Sequence, residues 1–166
     1  MSAFWRGWAL ALALCAAVVA LDQGAKEAAD AAIIRGDKID LALGFELTNV
    51  RNKGIAFGLF DDGRGTVIAL TVVALLAIVA WMARHAGRPG VWVAAGLLAG
   101  GALGNLADRV RTDAVLDFVD PSLWPAFNIA DVAITAGVAT LLVLYWREAD
   151  PDQTPTSNEG QDRLQG

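Results

Sequence analysis

Two aspartates, Asp117 in Val115-Leu116-Asp117-Phe118 and Asp131 in Phe127-Asn128-Ile129-Ala130-Asp131, lie at the edges of apolar, membrane-type segments. An ionisable group near hydrocarbon costs about 3 kcal/mol even on insertion scales, so a chain that keeps two acids there is expected to use them. Two carboxylates within hydrogen-bonding reach cannot both ionise and share a proton. One is then a base that activates water, the other an acid that protonates a leaving group. This is the chemistry of an aspartyl hydrolase, and it requires neither a metal nor a nucleophilic side chain.

Further polar residues cluster around the pair. On a helix Asn105, Asp108 and Arg109 fall at i, i+3 and i+4, one polar face at the end of an apolar segment, and Asn128, Asp131 and Thr135 form a second. If the two faces meet and Asp117 folds in from the connecting loop, two carboxylates, two amides and a guanidinium share a cavity. Plainer readings exist for each residue. Asn128 can be an N-cap with Asp131 in the first helical turn, Asp108 and Arg109 an interfacial charge pair, and Asp117 a turn residue ahead of Asp120-Pro121. Their conjunction at one end of one small protein favours a site. No metal is expected, because the single histidine, His85, falls on the opposite side and zinc sites want nitrogen or sulfur ligands. Ser122 and Ser157 lie in a loop and the tail, away from any serine–lysine arrangement.

The elements that must position these residues are membrane helices. The chain has 166 residues, 55% of them apolar, with a mean hydropathy of +0.46. Residues 7–21, 65–83, 89–107 and 132–146 are free of charge, each close to the roughly 20 residues a bilayer crossing needs once flanks are added. The spacing predicts an all-α membrane protein with four transmembrane helices, about 4–32, 65–83, 89–108 and 128–147, within a single integral membrane unit of residues 1–147. Trp5 and Trp8 mark an interface. Pro89 suits the first turn of the third helix. Gly96, Gly100 and Gly104 repeat at four-residue spacing and give that helix a face a neighbour can approach closely.

Between helices 1 and 2, Asp40–Leu43 and Phe45–Val50 show short alternation, so residues about 39–60 are read as a small surface β-element ending at the turn Asp61-Asp62-Gly63. Residues 148–166 carry Pro151 and Pro155 among polar side chains and read as a disordered tail. Residues 1–21 have the outline of a signal peptide, but Asp22 and Lys26 at i, i+4 continue one helical face into polar territory, as a first transmembrane helix would. Cys15 is expected to be a small buried hydrophobe; Leu14 before it is too large for a lipid-attachment box.

Four spans put both termini on one side and the two long polar connections, with the site, on the other. A raw count of Lys and Arg would make the loop side cytoplasmic. We set that count aside because Lys26 and Arg109 belong with the site and several other cations with a folded surface element. The net charge of −5 comes from acids in loops and tail, and no basic stripe suggests a nucleic-acid partner. A channel or scaffold is the alternative class, yet the second helix offers only Thr66 and Thr71, leaving the middle of the membrane dry. A presenilin-type aspartate pair is disfavoured by the small size and the spacing of the acids.

The chain resembles the bacterial lipoprotein signal peptidases, or signal peptidase II. The likeness rests on Asp22 with Lys26, Asn52-Lys53-Gly54-Ile55-Ala56-Phe57, Gly100-Gly101-Ala102-Leu103-Gly104-Asn105 with Asp108-Arg109, Asp117-Phe118, and Phe127-Asn128-Ile129-Ala130-Asp131. Ala25 and Ile55 depart from the family's usual pattern. The resemblance implies an aspartyl endopeptidase of the bacterial inner membrane, with the β-element and active site near the periplasmic face and both termini cytoplasmic. Such an enzyme cuts diacylglyceryl-modified prolipoproteins before the lipidated cysteine. It implies Asp117 and Asp131 as catalytic, Asn52, Gly54, Asn105, Arg109, Asn128, Asp22 and Lys26 as binding or supporting residues, no cofactor, contact with membrane lipid, and a monomer. Among these, Arg109 and Asn105 are expected to position the acids or the substrate backbone. Asn128 should orient Asp131, Asn52 should meet the substrate from above, and Asp22 with Lys26 should hold the first helix against the site.

Overall fold

The computed structural model describes residues 1–54, 63–121 and 123–149, with Gly63 and Arg64 described by backbone alone. The order is α1 (Ala3–Ala32), β1 (Lys38–Asp40), β2 (Phe45–Asn52), α2 (Gly63–His85), α3 (Val91–Thr112), β3 (Val115–Pro121) and α4 (Ile129–Ala149). The four helices are long and apolar enough to cross a membrane. Ser2 caps α1 by accepting from the Trp5 amide. Leu70, Val73, Leu76 and Val79 of α2 point outward, as expected for a helix whose solvent is lipid.

α3 is the centre of the bundle, packing on α1 and α4 and less on α2, while α2 and α4 hardly meet. Its glycine face explains the closeness. A Cβ on Gly96 would lie 2.9 Å from the Ala11 carbonyl oxygen, on Gly100 2.7 Å from Val18 Cβ, and on Gly104 2.6 Å from Asp22 Oδ2. The same face therefore lets α1 bring a carboxylate against the backbone of α3. Gly101 makes the equivalent approach to the Ala130 carbonyl of α4. At the other end of the bundle Ala11, Met82, Ala86, Val91 and Ala95 form the apolar core, backed by Trp8, Ile78 and Trp81.

The sheet is antiparallel in the order β1-β2-β3. Its third strand comes from the connection between α3 and α4, which the sequence reading treated as a loop holding Asp117. The short run Val115-Leu116-Asp117-Phe118-Val119 alternates well enough to pair, and its partner β2 lies far away in sequence. The β2–β3 register shifts between Leu47 and Val50. At that irregularity Thr48 and Asn49 are buried. The Asn49 amide donates to Asp30 Oδ1 at 2.8 Å and to the Ile33 carbonyl at 3.0 Å, tying the sheet to the end of α1.

Two helix boundaries move. Pro89 lies outside α3, because Gly90 at φ 80° reverses the chain and the helix begins after it. α3 also runs beyond Asp108 to Thr112 and stops at Asp113, in the left-handed region at φ 63°. The extra turn carries Arg109 and Arg111, where cations suit the negative end of the helix dipole. Asp61 and Asp62, residues 55–60 of the expected β-element, Ser122 and the tail from Asp150 lie outside the described residues.

Candidate active site

The Asp22–Lys26 block of α1 meets the polar end of α3. Lys26 Nζ lies 2.8 Å from Asp22 Oδ2, 2.9 Å from Asp108 Oδ2, and 2.9 Å from Asn105 Oδ1. Lys26 is 4% exposed, Asp22 0% and Asp108 8%, so a single ammonium is shared by two carboxylates where solvent cannot screen them. Each carboxylate also takes a backbone proton. Asp22 Oδ1 accepts from the Ala130 amide at 2.9 Å, in the first turn of α4, and Asp108 Oδ2 accepts from the Leu116 amide at 3.2 Å, the residue before Asp117. The ion cluster thus fixes the two backbone segments that carry Asp117 and Asp131.

Asn128 joins the two acids. Its Nδ2 donates to Asp117 Oδ1 at 2.7 Å, its Oδ1 accepts from the Asp131 amide at 3.0 Å, and its own amide donates to Asp131 Oδ2 at 3.2 Å. The last two bonds form a capping box at the start of α4. The plain N-cap reading therefore holds for Asn128, and the same residue also bonds to Asp117. Asn105 Nδ2 donates to Asp131 Oδ1 at 2.9 Å. Asn52 Nδ2 donates to Asp117 Oδ2 at 3.0 Å, and its Oδ1 is held at 2.8 Å by the amide of Gly54, which sits at φ 71°. That positive φ is where glycine is needed, and it aims the Asn52 amide at the acid. Asn52 thus meets Asp117 directly, whereas the sequence reading gave it to the substrate.

Asp117 lies on β3 and is 3% exposed. Burial, foremost, pushes its carboxyl up to about 6; the Asp131 charge adds to this, while the bonds from Asn52 and Asn128 and the Lys26 charge oppose it. Arg109 Nη1 donates to the Asn105 carbonyl at 3.3 Å. Its buried Nε has no hydrogen-bond partner among the described residues.

The acids face two different spaces. Asp131, Asn105 and Arg109 end an apolar groove of about 440 Å³ over α3, walled by Val67 and Leu70 of α2 and Ile134 of α4. Asp117 and Asn52 border a cavity of about 490 Å³ with Lys53, Pro125 and Ala126 beneath the sheet. Asp22, Lys26, Asn52, Gly54, Asn105, Arg109, Asp117, Asn128 and Asp131 are accordingly in one connected cluster. Thr135 is not; its hydroxyl donates back to the Asp131 carbonyl at 2.8 Å and it stays exposed. Asp108 pairs with Lys26, and no ion pair joins it to Arg109 among the described residues. The sequence reading missed Gln23. Its amide donates to Asp108 Oδ1 at 2.9 Å and to Asp22 Oδ2 and the Gly104 carbonyl at 3.2 Å, and its oxygen accepts from Arg111. Adjacency to Asp22 was the only signal for it.

Four membrane-length helices that hold two aspartates, joined through Asn128, at one end have the arrangement of a polytopic membrane peptidase of the aspartic class. A family model described as Signal peptidase (SPase) II matches residues 14–147, and the chain belongs to that family. It is 37% identical over 154 residues to the lipoprotein signal peptidase of Nitratidesulfovibrio vulgaris (strain DP4), covering 87% of this chain and 93% of that one. It is 41% identical over 156 residues to that of Methylobacterium sp. (strain 4-46), covering 86% and 93%. A bacterial membrane enzyme structure obtained by the in meso method at 1.9 Å resolution superposes with a TM-score of 0.78 at 30% identity, covering 83% of this chain and 93% of that one.

Proposed function

We propose that the protein removes the signal peptide from diacylglyceryl-modified prolipoproteins by cutting before the lipidated cysteine. One observation carries the reading: the two acids, joined through Asn128, each open on a different space, Asp131 on the apolar groove and Asp117 on the cavity beside Asn52. A signal helix can lie in the groove between α2 and α4, so that its scissile amide reaches the acids where hydrocarbon ends. The lipoprotein signal peptidases it resembles support the substrate class.

Asp117, the acid that burial holds up near 6, keeps the shared proton, and Asp131 is the base. Asp131 takes a proton from water as its oxygen attacks the scissile carbonyl carbon, and Asp117 gives its proton to the carbonyl oxygen. The tetrahedral intermediate collapses with cleavage of the C–N bond: a hydroxyl proton returns to Asp117 as the carbonyl re-forms, and the proton held on Asp131 passes to the leaving amine of the lipidated cysteine. The guanidinium of Arg109 positions the substrate backbone from the groove. Asn52 and Asn128 orient Asp117, and Asn105 orients Asp131. Asp22 and Lys26 keep α1 and the start of α4 in place. No step calls for a metal or cofactor.

In this reading residues 1–147 are the catalytic unit and the protein acts as a monomer in the bacterial inner membrane. The sheet and acids face the periplasm and both termini face the cytoplasm. The N-terminal end of α1 and the C-terminal end of α4 do share one end of the bundle, where Arg88 after α2 pairs with Glu148 of α4 at 2.6 Å. The test is cleavage of matched prolipoproteins, with and without the diacylglyceryl group, by purified protein in detergent. A product beginning at the lipidated cysteine, formed only from the lipidated substrate, is expected. Equal cutting of both, or a cut elsewhere, contradicts the proposal.

A further inference from the structure

At the end of the bundle away from the aspartates, α2 and α4 part over the start of α3 and leave a cavity of about 580 Å³. Its wall is apolar, with Val91, Leu141 and Leu144. It is within the range of about 300–1,000 Å³ typical of ligand pockets. Two guanidiniums border it: Arg88 from the α2–α3 connection and Arg147 from the last turn of α4. Arg88 is paired with Glu148, whereas Arg147 has no ion pair or hydrogen bond among the described residues. Among the described residues, two cations against one carboxylate leave the rim positive. Trp81 and Tyr145 also line it, and amphipathic rings of this kind sit at the headgroup level of a bilayer.

An apolar slot between membrane helices with a positive rim at its end matches one kind of molecule. Acyl chain fills the slot, and a phosphate at its end meets guanidiniums, whose planar forks suit phosphate oxygens. Basic pockets between transmembrane helices select anionic headgroups in this way. We infer that this cavity binds an anionic phospholipid, one acyl chain lying against Leu141 and Leu144 and the phosphate on Arg147 and Arg88. The site is independent of the peptidase reading, since it shares no residue with the aspartate cluster.

The test is native mass spectrometry of the full chain in detergent, titrated with phosphatidylglycerol or with phosphatidylcholine of the same acyl chains. A retained phosphatidylglycerol adduct is expected, weaker by roughly tenfold or more in the Arg88→Gln/Arg147→Gln double variant, since each cation near an anionic lipid contributes about fivefold. Arg147→Lys, which keeps the charge, should retain the adduct, and Leu144→Trp, which fills the slot, should lose it. Arg35→Gln at the opposite end should change nothing. Equal retention of both lipids, an adduct unaffected by the double variant, or displacement by millimolar inorganic phosphate alone would overturn the inference.

Discussion

Replacing Lys26 with methionine isolates what the buried ion cluster does. The ammonium touches Asp22 Oδ2 and Asp108 Oδ2 at 2.8 and 2.9 Å, and all three residues are at most 8% exposed. Methionine fills a similar volume, so the loss is electrostatic: two buried carboxylates keep their charge without a cation. Removing one partner of a buried pair costs about 3–5 kcal/mol. Here the Ala130 and Leu116 amides continue to serve the acids, which puts the expected loss near the lower end, about 3 kcal/mol, or more than a hundredfold in the folding constant. For a chain of this size it corresponds to a melting temperature lower by roughly 6–12 °C. Thermal unfolding in detergent at neutral pH should show that drop. The Lys26→Met/Asp108→Asn double variant should recover part of it, because one of the stranded charges is gone. A drop under about 2 °C, or a double variant that loses the full sum of both single effects, would refute the assignment of the cluster as a unit held together by the Lys26 ammonium. Among variants that stay folded, kcat should fall more than KM changes, since the cluster fixes the backbone of both acids and not the groove.

Asn128→Ala removes the donor to Asp117 and the capping acceptor of Asp131 together; cleavage rates at equal folded protein should fall about a hundredfold or more, as the bonds that orient both acids are lost at once. The raised carboxyl of Asp117 sets a sign for pH. The folded state holds that proton up to about 6, whereas the unfolded carboxyl releases it near 4. The Asp117 contribution to stability is therefore present below about 4 and declines as pH rises to about 6, and an Asp117→Asn variant should lack this slope in melting curves. If the shared proton is required, kcat/KM of the wild type should fall above about pH 6 by up to tenfold per unit; a profile flat from 5 to 9 contradicts the acid role. Activity should survive EDTA, and loss that zinc restores would exclude the metal-free reaction.

How much of this was legible in the sequence differed by residue. The helices were readable because lipid demands long uncharged runs, and the four-residue glycine spacing of α3 announced close packing before its partner was known. The pairing of Asn128 with Asp131 was readable, since a capping box is a local pattern. β3 was not, because a strand whose partner lies some 65 residues away has no local signature beyond a brief alternation between turn signals. Asp108 was visible but misassigned: adjacent Arg109 looked like its partner, whereas the fold places Lys26 of α1 against it through the glycine face. Gln23 bonds across helices to Asp108 and the Gly104 carbonyl, and only the tertiary packing of α1 on α3 creates those acceptors. Pro89 misled because its preference for a first turn is weaker than the chain reversal that Gly90 makes at positive φ.

The central claim is that Asp117 and Asp131 together perform the cleavage. Purified wild type, Asp117→Asn and Asp131→Asn should be compared at equal folded amounts on a diacylglyceryl-modified prolipoprotein, with release of the signal peptide as the readout. Near-isosteric asparagine preserves the shape of the cluster while removing the acid or the base, so both variants should lose cleavage by about a thousandfold or more, as losing general acid–base catalysis implies. Cleavage at the wild-type rate by either variant would contradict the account.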